Sequence, residues 1–109
     1  MEKIKVFNTV SEVVNYILSD NDYRDVMFQG YVIPVKGDYR EYPDFTFCID
    51  KYKDIYVKKN EERKEFKLQV ITEHNIPGCI KTATLPEEYL YEVLRYLRTL
   101  TKISYKAKL

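Results

Sequence analysis

Residue types able to do chemistry are sparse in this chain. His74 is its single histidine, and a zinc site or nucleophile–base pair around it needs Cys48 or Cys79 to converge by folding, since neither stands at a metal-ligand spacing. His74 therefore reads as a loop residue, and the two cysteines as buried thiols packing as small hydrophobes. An intracellular disulfide between them stays open only for a thermophile, which the tyrosine- and lysine-rich, tryptophan-free composition would suit. Gly30, Gly37 and Gly78 are isolated and precede no helix start, so no phosphate loop is expected. Neither a metal nor a cofactor is expected.

One carboxylate set has an order worth weighing. Pro43 and Asp44 precede a strand, and Glu62 and Lys64 follow the next one as Glu-x-Lys, which loosely resembles the PD-(D/E)xK nucleases. There two carboxylates hold a divalent metal and the lysine activates the attacking water. Here Glu62 and Lys64 fall in a polar turn and an extra strand intervenes, so a solvated hairpin is the competing and preferred reading. Nucleic-acid binding is the next class: Lys51, Lys53, Lys58, Lys59, Arg63, Lys64 and Lys67, with Tyr52 and Tyr56 among them, could track phosphates and stack bases. Asp54, Glu61, Glu62 and Glu65 dilute that face, which places nucleic acid behind a protein partner.

Protein recognition is the class the tyrosines favour. Tyr89 and Tyr96 share one shoulder of the last helix's apolar stripe, with Tyr91 and Arg98 on the other, and tyrosine and arginine are enriched at interface hot spots. The alternative is that these rings only roof the core. Met27, Tyr31 and Ile33 stand out of phase with Val26, Phe28 and Val32, and would be exposed if helices covered one sheet face only. Tyr89, Tyr96, Met27, Tyr31 and Ile33 are thus the expected homodimer interface. Two tyrosine-studded acidic segments flank the same strand: Asp20, Asp22, Tyr23 and Asp25, then Asp38, Tyr39, Glu41, Tyr42 and Asp44. Acid with aromatic anchors suits docking on a basic, nucleic-acid-handling protein, and these residues are the expected partner surface.

The elements that must position these groups follow from periodicity. The strongest is a helix over 84–100, TLPEEYLYEVLRYLRTL, with Thr84 and Glu87 as capping box, Pro86 in the first turn and Leu90, Val93, Leu94, Leu97 and Leu100 on one face. A strand at Ile4, Val6 and Phe7 precedes a short helix with its own capping box, Thr9 and Glu12, and an apolar face of Val10, Val13, Val14, Ile17 and Leu18. The stretch 25–35, DVMFQGYVIPV, is apolar in both phases and reads as one central strand with a bulge at Gly30, followed by a loop over 36–43. Runs around Phe45–Ile49, Ile55–Val57 and Phe66–Val70 make an antiparallel meander, and 79–83 adds a last strand. The closing TKISYKAKL reads either as a lysine-guarded edge strand or as a frayed tail.

The whole, residues 1–109, is the length of one domain with a real core: α+β, an antiparallel sheet of about five strands with two helices packed on one face. No apolar run approaches a membrane span and the opening MEKIKVFN is not a secretory signal, so an intracellular location is expected. Net charge is +1, but acids outnumber bases up to Asp50 and bases dominate from Lys51 onward. That split predicts two differently charged surfaces, or head-to-tail complementarity between copies.

In the segments IKVFNTVSEVVNYIL and DYRDVMFQGYVIPV and in its closing amphipathic helix, the chain resembles small accessory proteins of crenarchaeal viruses. Among them it is most similar to the type I-D anti-CRISPR family of rod-shaped and filamentous viruses. The resemblance implies an antiparallel sheet with helices on one side and a homodimer with an acidic surface. It also implies a viral inhibitor in the host cytoplasm that binds the large subunit of the CRISPR effector complex without turnover. It carries over no site residue.

Overall fold

Thr9 and Glu12 cap the first helix as their spacing predicts. The Thr9 hydroxyl accepts from the Glu12 N–H at 3.2 Å, while the Glu12 carboxylate takes the N–H groups of Asn8 and Thr9 at 2.8 and 3.1 Å. Those two backbone donors hold the Glu12 pKa below its ordinary value. The computed structural model describes residues 4–19, 23–72 and 80–101. In chain order these form β1 (Lys5–Phe7), α1 (Val10–Leu18), β2 (Val26–Phe28), β3 (Tyr31–Ile33), β4 (Val35–Asp38), β5 (Phe45–Asp50), β6 (Lys53–Asn60), β7 (Glu65–Thr72), β8 (Ile80–Pro86), a 3-10 turn (Glu87–Tyr89) and α2 (Leu90–Leu100). Asp20, Asp22, His74, Cys79 and the tail beyond Thr101 lie outside the described residues.

The fold is α+β: an antiparallel five-stranded sheet in the order β4-β8-β7-β6-β5, with both helices packed against it. The expected meander is β5-β6-β7, and β8 continues it. In-register rows such as Val57–Leu68–Ala83–Val35 form its inner face, where alternate side chains meet Val13, Ile17, Val93 and Leu97 of the helices in one core. A second sheet of three strands, β1-β2-β3, joins the same core through Val26, Phe28 and Ile33.

Three expectations need correction. The stretch 25–35 is not one central strand, because Gln29 and Gly30 both take positive φ, 50° and 85°, as a two-residue type I′ hairpin requires, and the chain reverses there. β2 and β3 therefore pair with each other outside the main sheet. Lys36–Asp38, expected at the start of the 36–43 loop, continue from Val35 as an edge strand on β8. The second capping box is also absent: Thr84 lies in β8 opposite Lys67, and extended pairing continues to Pro86 opposite Glu65. Proline disfavours helical geometry at Leu85 before it, so α2 starts only at Leu90. Its apolar face is the expected one.

The end of α1 is held by lysines of the sheet. Lys81 stands on the inner face two residues before Ala83, is only 6% exposed, and donates to the carbonyls of Tyr16 and Ser19 at 3.1 and 3.2 Å. Its ammonium also sits over the Tyr16 ring at 4.8 Å and the Tyr23 ring at 5.7 Å. Lys53 adds a bond to the Leu18 carbonyl at 2.8 Å. Cations at a helix C-terminus satisfy otherwise unpaired carbonyls and complement the helix dipole, and α1 has no basic residue of its own there. Bonds to charged groups contribute roughly 1.5–3 kcal/mol each, so Lys81→Ala should lower unfolding stability by about 3 kcal/mol and the half-buried Lys53→Ala by about 1. Urea melts of both variants check that order, which equal losses would refute.

Candidate functional site

The second tyrosine-bearing acidic segment connects β4 to β5, which occupy opposite edges of the five-stranded sheet. Residues 39–44 must therefore cross the outer face, the one turned away from the helices. Four strand spacings of about 4.8 Å make roughly 19 Å, while six extended residues reach about 20 Å. The segment is a strap with little slack.

Polar groups beneath it fix its path. Gln69 is fully buried; its amide oxygen accepts the Glu41 N–H at 2.8 Å, and its amide nitrogen donates to the Tyr39 carbonyl at 2.7 Å and the Thr82 hydroxyl at 3.1 Å. An amide is suited to this place because it offers donors and an acceptor at once. Lys67, next along the same face, donates to Glu41 at 2.6 Å and lies 3.5 Å from Asp38. At the far end, Asp44 donates its N–H to the Val57 carbonyl at 2.8 Å, and its carboxylate accepts from the Lys59 N–H at 2.7 Å and pairs with Lys58 at 3.9 Å.

Asp38 at the end of β4 and the strap's Glu41 and Asp44 are thus engaged with the lysine-bearing meander of the same chain. What the strap presents outward is aromatic: Tyr39 is 69% and Tyr42 87% exposed. Arg40 between them is exposed as well. Beside the strap, the described residues of the outer face form a cleft of about 640 Å³ lined by Tyr39 and Arg40 of the strap and by Lys51 and Tyr52 of the β5–β6 turn. A second cleft of about 910 Å³ lies between the 61–64 turn and the start of α2, with Lys59, Lys64, Glu87 and Glu88 in its lining.

Tyr23 and Asp25, the described members of the first acidic segment, behave differently. Tyr23 packs against the Lys81 ammonium, and Asp25 accepts the Val35 N–H at 3.1 Å, tying the start of β4 to β2. The expected dimer residues divide too. Ile33 is in the core, because the Gln29–Gly30 turn exchanges its phase with Val32, which is 54% exposed. Tyr89 is buried against Phe28 at 4.8 Å between centroids and meets Tyr31 edge-on at 5.9 Å. Burial, then the nearby Glu88 carboxylate, pushes the Tyr89 pKa up, and Tyr31, donating to Glu88 at 3.2 Å, is raised by that same charge. Tyr96 is half-buried and ties α2 to α1 through Asn15 at 3.1 Å. Sequence reasoning missed Val6 and Val32, which with Met27 form one outward apolar row across the small sheet, Val6 being 65% exposed. The Gln-Gly dipeptide between apolar triplets was the available signal.

Glu62 and Lys64 of the nuclease pattern sit in the exposed 61–64 turn. Among the described residues no three His, Cys, Asp or Glu side chains gather as a metal site, and no helix is long and apolar enough to cross a membrane. Comparison with known proteins identifies no relative: no family model, no curated protein and no solved structure matches the chain.

The clamp has a defined pH range. The Tyr39 N–H, then Lys67, lowers the Asp38 pKa, and the bond to Glu41 followed by both carboxylate charges raises that of Lys67. A lowered acid stabilises the fold above its unfolded value of about 3.9 and loses that contribution as pH falls through its folded value. A raised lysine stabilises below about 10.4 and loses it as pH rises through its folded value. The stability gap between wild type and Asp38→Asn should therefore hold at neutral pH and close in acid, while the gap to Lys67→Met should narrow at both extremes, in acid as Asp38 and Glu41 take up protons and in strong alkali as Lys67 loses its own. Chemical denaturation across pH measures both, and gaps independent of pH would contradict the clamp.

Proposed function

We propose that the protein acts by binding another protein, without turnover, through the outer side of the strap. The observation that carries this reading is a tethered backbone over 39–44 whose acids are held down by the sheet while Tyr39 and Tyr42 project into solvent. A fixed tyrosine offers large amphipathic area at low ordering cost, the usual property of an interface anchor. In its specific form the proposal follows the family resemblance: a viral inhibitor that docks on the large subunit of a host type I-D CRISPR effector and blocks interference.

A dimer belongs to the same proposal. The row Val6–Met27–Val32 is uncharged and lies beside β1, which is an edge strand among the described residues, so a second copy can cover it without repulsion. Val32→Glu is expected to leave the fold intact and convert dimer to monomer in sedimentation; a wild type that sediments as monomer at high concentration would sink this part.

Calorimetry with the purified large subunit tests the rest. Wild type should bind in the presence of nuclease, and Tyr39→Ala/Tyr42→Ala should bind at least tenfold more weakly with an unchanged unfolding midpoint. Retention of nucleic acid alone, lost steeply as salt rises, would favour the lysine-bearing hairpin as a nucleic-acid binder instead.

A further inference from the structure

In the strap half of the expected acidic surface, the carboxylates are engaged with the chain's own lysines. Asp38 and Glu41 face Lys67, and Asp44 faces Lys59 N–H and Lys58, so these carboxylates are turned onto the sheet. Arg40, carried between Tyr39 and Glu41, forms no ion pair or hydrogen bond within the described residues. It borders the cleft left open where the strap covers only the Lys67–Gln69 half of the outer face.

The opposite wall is the β5–β6 turn. Asp50 fixes it by accepting the Tyr52 N–H at 2.7 Å, which leaves the Tyr52 ring 58% exposed and the Lys51 ammonium 5.7 Å above that ring. Tyr56 and Ile71, half-buried on the outer face, make an apolar floor. Lys53 and Asp54 also border the space, but the Lys53 ammonium is committed to the Leu18 carbonyl. Two available cations thus stand at the rims of an aromatic trough whose described lining includes one carboxylate, Asp54. Long cationic tracks with successive stacking rings characterise nucleic-acid grooves, and two cations on opposite walls do not make such a track.

We propose that this cleft is the partner pocket and that it takes an acidic protein segment with an apolar anchor. The anchor lies on Tyr56 and Ile71 between the Tyr39 and Tyr52 rings, and carboxylates on either side of it meet Arg40 and Lys51. About 640 Å³ is the size of a pocket for one large side chain with its flanking backbone. The inference rests on the protein-binding reading above and specifies the chemistry its partner must bring: acidic where the sequence alone predicted basic.

The test is an NMR titration of the full chain with the blocked peptides Glu-Glu-Phe-Glu-Glu and Lys-Lys-Phe-Lys-Lys, and with an eight-residue oligothymidylate. The acidic peptide should shift the amides of Arg40, Tyr52, Tyr56 and Ile71 while the lysine peptide leaves them unmoved. Arg40→Glu, at an exposed position, should weaken the acidic peptide at least tenfold, and Lys51→Glu should do the same. Shifts from the oligonucleotide alone, or from neither acidic peptide nor oligonucleotide, would overturn the proposal. Should Arg40→Glu still bind the large subunit like wild type while Tyr39→Ala/Tyr42→Ala does not, the cleft assignment fails and the protein-binding reading survives; loss of binding in neither variant removes both.

Discussion

Placing two strands that are neighbours in sequence on opposite edges of a five-stranded sheet is the constraint from which the functional surface follows. The chain between β4 and β5 has about as many residues as a straight crossing needs, so it has little freedom to loop into solvent. Crossing a sheet face buries backbone polar groups, which must find partners. Gln69 supplies them from below, at a position where an antiparallel strand would ordinarily present a residue to water. A central-strand glutamine with no exposure is the mark of that crossing.

The same crossing explains the uneven charge of the chain. The acidic first half meets the basic second half across the strap, as Asp38 and Glu41 on Lys67 and Asp44 on Lys58, so part of the charge complementarity is used within one copy. Exposed ion pairs contribute little to stability, but Lys67 and its two partners are all partly shielded, and Gln69 adds bonds without charge. Lys81 and Lys53 do related work on the inner face, where they fasten α1 to the sheet. Lysines that read from sequence as a possible phosphate track are therefore distributed between the two faces, and several serve the fold.

How much of this could be read from sequence depends on the range of the interaction. The α1 capping box, the meander and the apolar stripe of α2 are encoded in residues close together, and they form where expected. Thr84 and Glu87 carry the same capping signature as Thr9 and Glu12, yet pairing of β8 with β7 through Pro86 overrides it. The 25–35 stretch misleads because its apolar content does not reveal direction; reversal rests on Gln29 adopting a positive φ, an unusual place for glutamine, supported by its side-chain bonds to Asn8 and Tyr89. Asp38, Tyr39, Glu41, Tyr42 and Asp44 were legible as a group, but which of them would face outward was not. That depends on the edge-to-edge placement of β4 and β5, and strand order is a long-range property that periodicity does not carry.

Backbone order parameters for residues 39–44, from 15N relaxation, test the central claim most directly. A strap clamped by Gln69 and Lys67 should give values near those of rigid backbone, about 0.85, comparable with β6 and β7 beneath it. Values below about 0.6 over the same residues would mean that the crossing segment is a loose loop, and would contradict a fixed tyrosine-bearing surface.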